Sequence, residues 1–461
     1  MFEPSVYSAR RKELINNISS GLVLLPGNID SPMNCKANTY RFRQDSSFLY
    51  FFGPDRQGLT GLVDIDEGKS ILFGDDDELD DIIWMGTRPP IRTLGEKAGV
   101  DETRALTELE EIMKQATSRG RKIHFLPPYR TEKILRLEGW LDIHHSKIAE
   151  NASDELIKEV VRQRSVKSPG EITEIEKAVD IAYSMHTTAM KMARPGIYER
   201  EIAGTIEGIS LSHDNPVSFP VILSINGHIL HNHHHGNELT AGKLMVTDAG
   251  SESGMHYASD ITRSVPVGGK FTSRQKDIYN IVLKALQDSI TSIRPGEAYK
   301  DIHLQAAAVI AGGLKELGIM KGDIQEAVSN GAHALFFPHG LGHMLGLDVH
   351  DMEDLGENYV GYDKEIIRSD QFGLAFLRLG RRLQENFVLT VEPGIYFIPP
   401  LIDKWKSDKL FTDFIDYEKV ESYRDFGGIR IEDDVLVTAA GSRILGTPVP
   451  QTVSEIEEIM K

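Results

Sequence analysis

The sequence predicts an α+β protein of two domains, the second of which contains two related halves. The chain has 461 residues, which is more than one hydrophobic core usually serves. A helix-capping signal near position 168 separates a region of short strands and helices from a longer region. Within the longer region, ARPGIYEREI (193–202) is echoed by IRPGEAYKDI (293–302). An array would need three or more repeats, so this single echo favours a duplicated domain.

The first domain is predicted to span residues 1–160. The acidic run GDDDELDD (74–81) is expected to be a solvated loop. Five apolar stretches bounded by Gly, Pro or Asp predict strands. They are GLVLLPG (21–27), SSFLYFF (46–52), GLVDI (61–65), SILFG (70–74) and KIHFLPP (122–128).

The second domain is predicted to span residues 161–461 and to begin with an amphipathic helix. Ser168 is a favourable N-cap, Pro169 suits the first helical position, and Glu171 completes a capping box. Apolar residues then recur at helical spacing until the ARPG stop at residues 193–196. The equivalent stop in IRPG, one hundred residues later, predicts a second pair of helices.

The composition argues against several classes of protein. A formal net charge of −18 disfavours a nucleic-acid-binding surface, which needs clustered Lys and Arg. The single cysteine, Cys35, leaves no internal disulfide and fits a reducing compartment. No secretory signal is visible, and no stretch approaches the roughly 20 apolar residues of a membrane span. We therefore expect a cytoplasmic protein without a membrane or nucleic-acid partner.

The segment HGLGHMLGLDVHD (339–351) places three histidines within thirteen residues. The spacing of His339 and His343 is that of a zinc-binding HExxH helix, but the glutamate is missing and three glycines disfavour a helix. The glycine spacing is also one residue too long for a dinucleotide-binding loop. These two histidines and His350 therefore need another explanation.

Four acidic residues of the second domain lie within apolar, strand-like sequence. A buried carboxylate is costly unless it is paired or liganded, so four of them predict a shared site for cations, and two cations suit four carboxylates better than one. The adjacent Asp433 and Asp434 are expected to be an exposed pair. The four acids are Asp248 in LMVTDAG (244–250), Asp260 in YASDITRSVPV (257–267), Glu392 in FVLTVEPGIYF (387–397) and Glu432 in GGIRIEDDVLVT (427–438).

In their order and approximate spacing, five segments resemble the pita-bread metallopeptidases, and within them the aminopeptidase P and prolidase branch. The resemblance covers about residues 165–450, and residues 40–53 resemble the N-terminal domain of the same branch. It implies a creatinase-like α/β domain followed by a pita-bread catalytic domain with pseudo-twofold related halves. Creatinase shares this fold without the metal set. The segments are VTDAG, YASDITRS, HGLGHMLGLDVHD, LTVEPGIYF and GIRIEDDVLV.

The resemblance implies a metal centre with two divalent ions. The oxygen-rich donor set favours Mn²⁺, with Co²⁺ or Zn²⁺ as alternatives. Among the three histidines of residues 339–351, only His343 is implied to be a ligand, and His339 is expected to have a structural role. The implied ligands are Asp248, Asp260, His343, Glu392 and Glu432.

The resemblance also implies which groups act in catalysis. Glu392 would serve as general base and then as general acid. His231 would steady the tetrahedral oxyanion or the leaving nitrogen, and His350 would stabilise the reaction centre and contact substrate. Arg430 aligns with an arginine that braces the ligands or reaches the substrate, and Thr262 is expected to support a ligand.

The implied reaction is hydrolysis of the bond before proline at the N-terminus of a dipeptide or short peptide. A prolidase, or Xaa-Pro dipeptidase, must recognise a nearby C-terminal carboxylate, and Arg378 resembles the arginine that does so. About thirty residues separate Phe397 from the last strand, an insertion similar to that of prolidases. We therefore favour the dipeptidase, with an Xaa-Pro aminopeptidase (aminopeptidase P) acting on longer peptides as the alternative.

Two remoter interpretations have less support. A non-catalytic peptide-binding module with this fold would have lost ligands, and none is missing here. A methionine aminopeptidase would lack the N-terminal domain.

The resemblance implies a homodimer. The stretch HNHHH (231–235) is expected to be an exposed loop near the pocket rather than a metal site, although His233, His234 and His235 are rich in imidazole.

Overall fold

A computed structural model describes residues 1–461 as two compact units. The first contains Met1–Arg164 and Asp354–Tyr359, and the second contains Ser165–Glu353 and Val360–Lys461. Nothing in the sequence pattern indicates that Asp354–Tyr359 belongs with the first unit. The domain limits at residues 160 and 161 stay a prediction.

A mixed five-stranded sheet lies at the centre of the first unit. The elements are α1 (Pro4–Asn17), β1 (Leu22–Pro26), β2 (Pro32–Cys35), β3 (Asn38–Thr39), α2 (Ser46–Phe51), β4 (Thr60–Asp64), β5 (Lys69–Phe73), α3 (Leu79–Met85), α4 (Ile91–Ala98), β6 (Glu102–Arg104), α5 (Glu108–Ser118), β7 (Ile123–His124), α6 (Thr131–Leu141) and α7 (Asp154–Ser165). The strand order is β6-β5-β4-β1-β7, in which β1, β4 and β5 pair antiparallel. Apolar residues of this sheet and of α5 and α6 form one buried cluster.

Four of the five predicted strands of this unit are confirmed, and the fifth is wrong. SSFLYFF (46–52) forms the helix α2. Asp45 caps the helix by accepting a hydrogen bond from the Phe48 amide at 2.9 Å. All six residues of α2 are buried, and a run buried on every side has no alternation that distinguishes a strand from a helix. The acidic run is largely exposed, as predicted, although α3 begins within it.

The remaining helices and strands follow along the chain. They are α8 (Pro169–Met192), α9 (Glu199–Ser212), β8 (Ile222–Ser224), β9 (Leu244–Ala249), β10 (Ile261–Pro266), α10 (Ser273–Ser292), α11 (Tyr299–Glu316), α12 (Ile324–Asn330), α13 (Glu357–Val360), β11 (Val388–Val391), β12 (Gly394–Tyr396), α14 (Pro399–Ser407), α15 (Tyr417–Glu421), β13 (Gly428–Arg430), β14 (Asp433–Thr438), β15 (Gly441–Ile444) and α16 (Val453–Ile459). Single 3₁₀ turns lie at His145–Lys147, Ala149–Asn151, Ala332–Leu335, Glu353–Leu355 and Leu374–Phe376.

Antiparallel strands carry the central residues of the second unit. One sheet has the order β10-β9-β8, a second has the order β11-β14-β15, and β12 pairs with β13. The β9–β10 register places Thr262 opposite Asp248. A single bridge between Thr262 and Glu432 then links β10 to the segment between β13 and β14. The four acidic segments are thereby brought together.

The helix signals of the second unit are confirmed. The Ser168 hydroxyl accepts a hydrogen bond from the Glu171 amide, the Glu171 carboxylate accepts one from the Ser168 amide, and α8 ends at Met192 as the ARPG stop predicts. None of the helices of the chain combines the length and the apolar composition that a membrane crossing requires.

Candidate metal centre and substrate pocket

The five predicted ligands converge at one place in the second unit. Asp248 lies on β9, Asp260 directly precedes β10, and His343 lies in the loop before β11. Glu392 and Glu432 each occupy a break between two strands, β11 and β12 or β13 and β14. The possible donor atoms of Asp260, His343 and Glu432 all lie within 4.8 Å of one another, and the three side chains are buried. Such a group can hold a metal ion.

His343 presents one nitrogen to the carboxylates. Its Nε2 lies 3.4 Å from Asp260 Oδ2 and 3.6 Å from Glu392 Oε1. Its Nδ1 lies 3.0 Å from the carbonyl oxygen of Met344, so that Nδ1–H donates there and Nε2 keeps its lone pair. Burial lowers the pKa of His343 well below its usual value. The imidazole is therefore neutral, as a metal ligand must be.

Burial makes three of the carboxyl groups costly to ionise. Burial, reinforced by the neighbouring carboxylates, raises the pKa of Asp260 and of Glu432 well above the ordinary values. Burial, opposed by Arg430 and aided by Asp248, raises the pKa of Glu392 to about 7. The buried Oδ1 atoms of Asp248 and Asp260 have no hydrogen-bond partner. Divalent ions would compensate these groups, so the donor set fits the implied metals.

Arg430 and Thr262 connect the ligands. The Arg430 guanidinium donates to Asp248 Oδ2 at 2.5 Å, to Thr262 Oγ1 at 3.1 Å and to the Tyr396 hydroxyl at 3.0 Å. The Thr262 hydroxyl donates to Glu432 Oε2 at 2.7 Å. Arg430 and Thr262 are thus hydrogen-bonded to two of the predicted ligands, and their role in supporting a metal site stays a prediction.

The prediction that Asp433 and Asp434 form an exposed pair is wrong. Both are buried, because β14 is the central strand of its sheet and has neighbours on either side. Asp433 Oδ1 forms an ion pair of 2.6 Å with the buried Arg263. Asp434 Oδ2 accepts a hydrogen bond from the Asp260 amide at 3.0 Å. The two aspartates thus hold the backbone beside the ligands, a role that sequence alternation does not reveal.

His339 lies beside the predicted metal ligands, with its Nδ1 3.8 Å from Glu392 Oε2. Its Nε2 lies 2.9 Å from the Tyr396 hydroxyl and its Nδ1 lies 2.8 Å from the Gly340 carbonyl oxygen. Burial lowers its pKa to about 3, so the ring is neutral at physiological pH. With both nitrogens hydrogen-bonded to protein atoms, His339 has the contacts expected for a structural role.

A cavity of ≈ 590 Å³ is lined by the five predicted metal ligands and by other predicted site residues. This volume is typical of a small-molecule site. His231, His350, Arg378 and Arg430 lie on its wall. Its apolar lining includes Phe219, Pro220, Ile222, Leu230, Pro338, Val349, Phe372, Phe376, Ile398 and Leu401. The last two belong to the insertion after Phe397, which therefore contributes to the pocket.

The imidazole-rich stretch HNHHH (231–235) is a loop, as predicted, although Asn232 is buried and His235 is half-buried. Residues 231–235 contain no helix or strand, and His233 and His234 are exposed. His233 also lines the cavity. His235 Nε2 lies 3.1 Å from the carbonyl oxygen of Val221, so this ring anchors the loop.

Sequence reasoning missed Glu353. Its carboxylate lies between two pocket residues, with Oε2 2.5 Å from His350 Nδ1 and Oε1 3.0 Å from Arg378 Nε. Only its position three residues after His350 hints at this contact, and the sequence shows nothing that would bring Arg378 to it. In the sequence, nothing distinguishes Glu353 from the other acidic residues nearby.

Comparisons with known proteins agree with this geometry. The model of Metallopeptidase family M24 matches residues 173–439, and that of the aminopeptidase P N-terminal domain matches residues 7–124. The Xaa-Pro dipeptidase of Homo sapiens is 33% identical over 460 residues, which cover 96% of this chain and 89% of that protein. The Xaa-Pro aminopeptidase of Escherichia coli (strain K12) is 33% identical over 468 residues, which cover 98% of this chain and 97% of that protein.

A solved structure extends the likeness to the whole fold. Aminopeptidase P from E. coli with the inhibitor Pro-Leu superimposes with a TM-score of 0.81 at 30% identity, covering 100% of this chain and 98% of that chain. The resemblance to the aminopeptidase P and prolidase branch, and the α+β fold that it implies, are confirmed. The chain belongs to Metallopeptidase family M24 and carries an N-terminal domain of the aminopeptidase P type.

Proposed function

We propose that the chain is an Xaa-Pro dipeptidase that requires two divalent metal ions and hydrolyses the bond before proline. The observation that carries this proposal is Arg378, which lies on the wall of the cavity that holds the buried carboxylates. A guanidinium is the group best suited to bind the C-terminal carboxylate of a dipeptide. The mammalian relatives named Xaa-Pro dipeptidase support the same substrate.

The metal centre would be formed by one imidazole and four carboxylates. This oxygen-rich set favours Mn²⁺, with Co²⁺ or Zn²⁺ as alternatives. Bound ions would activate a water molecule and polarise the scissile carbonyl group. The ligands would be Asp248, Asp260, His343, Glu392 and Glu432.

The remaining residues would bind the peptide and move its proton. Glu392 would take a proton from the attacking water and pass it to the proline nitrogen as that nitrogen leaves. His231 and His350, both on the cavity wall, would donate hydrogen bonds to the oxyanion or the leaving group. Arg430, which donates to Asp248, would keep that carboxylate in place. Arg378 would bind the C-terminal carboxylate.

An Xaa-Pro aminopeptidase acting on longer peptides is the second candidate. It is favoured by the apolar wall of the cavity, where Phe372, Phe376, Ile398 and Leu401 offer surface for residues beyond proline. Relatives named Xaa-Pro aminopeptidase support it at the same level of identity. The non-catalytic peptide-binding alternative has little support, because all five implied ligands are present and adjacent to the cavity.

We further propose a homodimer in the cytoplasm, with no nucleic-acid or membrane partner. Helix α3 has no buried residue, and its Ile83, Trp84 and Met85 side chains are 64%, 82% and 70% exposed. An apolar surface of this kind is typical of a protein interface. The cytoplasmic location is supported by the single, unpaired Cys35.

Release of the N-terminal residue from Gly-Pro, Ala-Pro and Ala-Pro-Ala, with Mn²⁺ and after chelation, tests the proposal. We expect Mn²⁺-dependent cleavage of the dipeptides, little cleavage of the tripeptide, and no turnover after chelation. The Arg378→Gln variant should raise KM for the dipeptides, whereas the control Arg382→Gln, at an exposed arginine, should not. Efficient cleavage of Ala-Pro-Ala would favour the aminopeptidase. Absence of metal-dependent turnover on all three peptides would reject the enzymatic function.

A further inference from the structure

Glu353 connects two residues of the pocket that lie far apart in sequence. It begins a 3₁₀ turn, Glu353–Leu355. Each of its carboxylate oxygens contacts a different partner: Oε2 lies 2.5 Å from His350 Nδ1, and Oε1 accepts from Arg378 Nε at 3.0 Å. Both partners line the cavity. The Glu353 side chain thus contacts both a histidine and an arginine that are proposed to contact the substrate.

The charge of Glu353 is permanent under physiological conditions. The hydrogen bond with His350, with the positive charge of Arg378, lowers the pKa of Glu353 to about 2. The carboxylate therefore accepts hydrogen bonds at every pH at which a cytoplasmic enzyme works. Its side chain is 37% exposed and that of Arg378 is 34% exposed, and ion pairs with this much solvent access contribute little to stability. A role in orienting the two partners explains the arrangement better than a role in folding.

One contact of Glu353 sets the tautomer of His350, and the other restricts the rotamer of Arg378. An anionic oxygen at Nδ1 makes that nitrogen the protonated one, and this leaves Nε2 as the nitrogen of His350 that is available for other contacts. The His350 ring also packs edge-on against His343, with ring centroids 4.3 Å apart. Arginine side chains have many rotamers, and a hydrogen bond at Nε restricts them before a ligand arrives. Glu353 thereby holds both groups in the orientation seen here.

We propose that Glu353 is a positioning residue for Xaa-Pro hydrolysis, which orients Arg378 toward the C-terminal carboxylate of the substrate and His350 toward the reacting bond. This inference depends on the proposed function, because both partners have their roles from it. Glu353 itself does not touch the substrate. It acts on dipeptide binding through Arg378 and on turnover through His350.

Two substrates separate these effects: Ala-Pro, with a free carboxylate, and Ala-Pro amide, which lacks it. For Glu353→Ala we expect KM for Ala-Pro to rise about tenfold and KM for the amide to change less than about twofold. We expect kcat to fall about tenfold for both substrates, since His350 serves both. The control Asp370→Ala, at an exposed acid in the same stretch of chain, should leave all four values unchanged.

The Glu353→Gln variant tests the two contacts separately. The amide oxygen of the glutamine can still accept a hydrogen bond from Arg378 Nε. Its amide nitrogen, however, donates to His350 Nδ1, so that the proton of the His350 ring moves to Nε2. We expect a KM for Ala-Pro close to that of the wild type, together with the lower kcat. If Glu353→Ala raises KM equally for both substrates, or changes neither KM nor kcat, the positioning role is wrong. If the wild type cleaves neither substrate with Mn²⁺ present, the proposed function itself fails.

Discussion

The second unit contains two halves that begin in the same way and differ in what they contribute. In the first half, residues 169–266, the helices α8 and α9 are joined by a turn at Gly196 with φ +90°. In the second half, residues 273–438, the helices α10 and α11 are joined by a turn at Gly296 with φ +91°. The amide of each glycine donates to a carbonyl of its own half, Leu239 at 3.0 Å or Leu383 at 2.8 Å. This agreement supports the pseudo-twofold relation inferred from the sequence echo.

The four carboxylates of the predicted metal centre divide equally between the halves, but the other predicted site residues do not. The first half supplies Asp248 on β9 and Asp260 directly before β10, and the second supplies two glutamates at strand breaks together with His343. The second half also supplies Arg378, His350 and Glu353. The duplicated framework thus provides a symmetric set of carboxylates, whereas the other residues proposed to act on substrate lie mostly in the second half, with His231 in the first. The bonds from Arg430 and Asp434 show that the second half also holds the ligands of the first.

The largest effect is expected when one carboxylate is removed from each half, which tests whether both halves contribute to one metal centre. Asp260→Asn and Glu432→Gln should each lower kcat/KM at least about 10³-fold, because a buried cation that loses a carboxylate partner loses several kcal/mol and each ~1.4 kcal/mol is tenfold. Turnover of Ala-Pro and metal content by mass spectrometry would measure the effect. The exposed Glu385→Gln serves as the control. A large loss in only one of the two variants would mean that the halves do not share one centre.

The bond that crosses between the halves can be tested with two threonines. The Thr262 hydroxyl donates to Glu432 Oε2 at 2.7 Å. Thr247, on the neighbouring strand β9, is equally buried, but its hydroxyl has no partner. Thr262→Val should therefore weaken metal binding about 10–100-fold, which is typical for a residue that supports a ligand.

Thr247→Val is the matched control, because it makes the same change of shape without removing a hydrogen bond. Calorimetric titration of each metal-free variant with Mn²⁺ would compare the two affinities. Equal affinities in both variants would show that the hydroxyl between the halves does not support Glu432.

The sequence predicted the parts of this arrangement that local patterns encode. The capping box at Ser168 and Glu171 and the paired strands around Asp248 and Asp260 follow from residue types at fixed spacings. Strand-like apolar runs that each contained an acid predicted that the four carboxylates share a site, and the assignment of His343 rests on the resemblance to a known family.

The misses arose where the local pattern is absent or misleading. SSFLYFF (46–52) has no alternation, so a short buried helix looked like a strand. Asp433 and Asp434 were predicted to be exposed because their strand alternates in polarity, and the buried Arg263 that pairs with Asp433 lies 170 residues away. Glu353, which is partly exposed, was missed for a different reason, since its contact with Arg378 depends on the folding of a loop. Contacts between distant residues are not visible in a single sequence.

The smallest expected effect concerns a buried histidine in each half. In the first half, His186 on α8 has Nε2 2.9 Å from the Ala249 carbonyl oxygen. In the second half, His303 on α11 is fully buried and neither ring nitrogen has a hydrogen-bond partner. Burial lowers the pKa of His186 to about 4 and that of His303 to about 3. Both histidines are therefore neutral in the folded protein near neutral pH.

A histidine whose pKa falls on folding reduces stability as the pH is lowered. Below about pH 6.5 the unfolded chain takes up a proton that the folded protein cannot, so stability is lost between that value and about pH 3. Between pH 7 and pH 5.5, His303 should lower the free energy of unfolding by about 1.3 kcal/mol. In His303→Leu this loss should disappear, and stability at pH 7 should change little because no hydrogen bond is removed.

Urea unfolding of the metal-free protein at both pH values would measure the difference without a contribution from metal release. The exposed His213→Leu is the control for removing an imidazole that is not buried. If His303→Leu and the wild type lose the same stability on acidification, then His303 is solvated or protonated in the folded protein. His186 and His303 would then differ in their solvation or protonation in the folded protein.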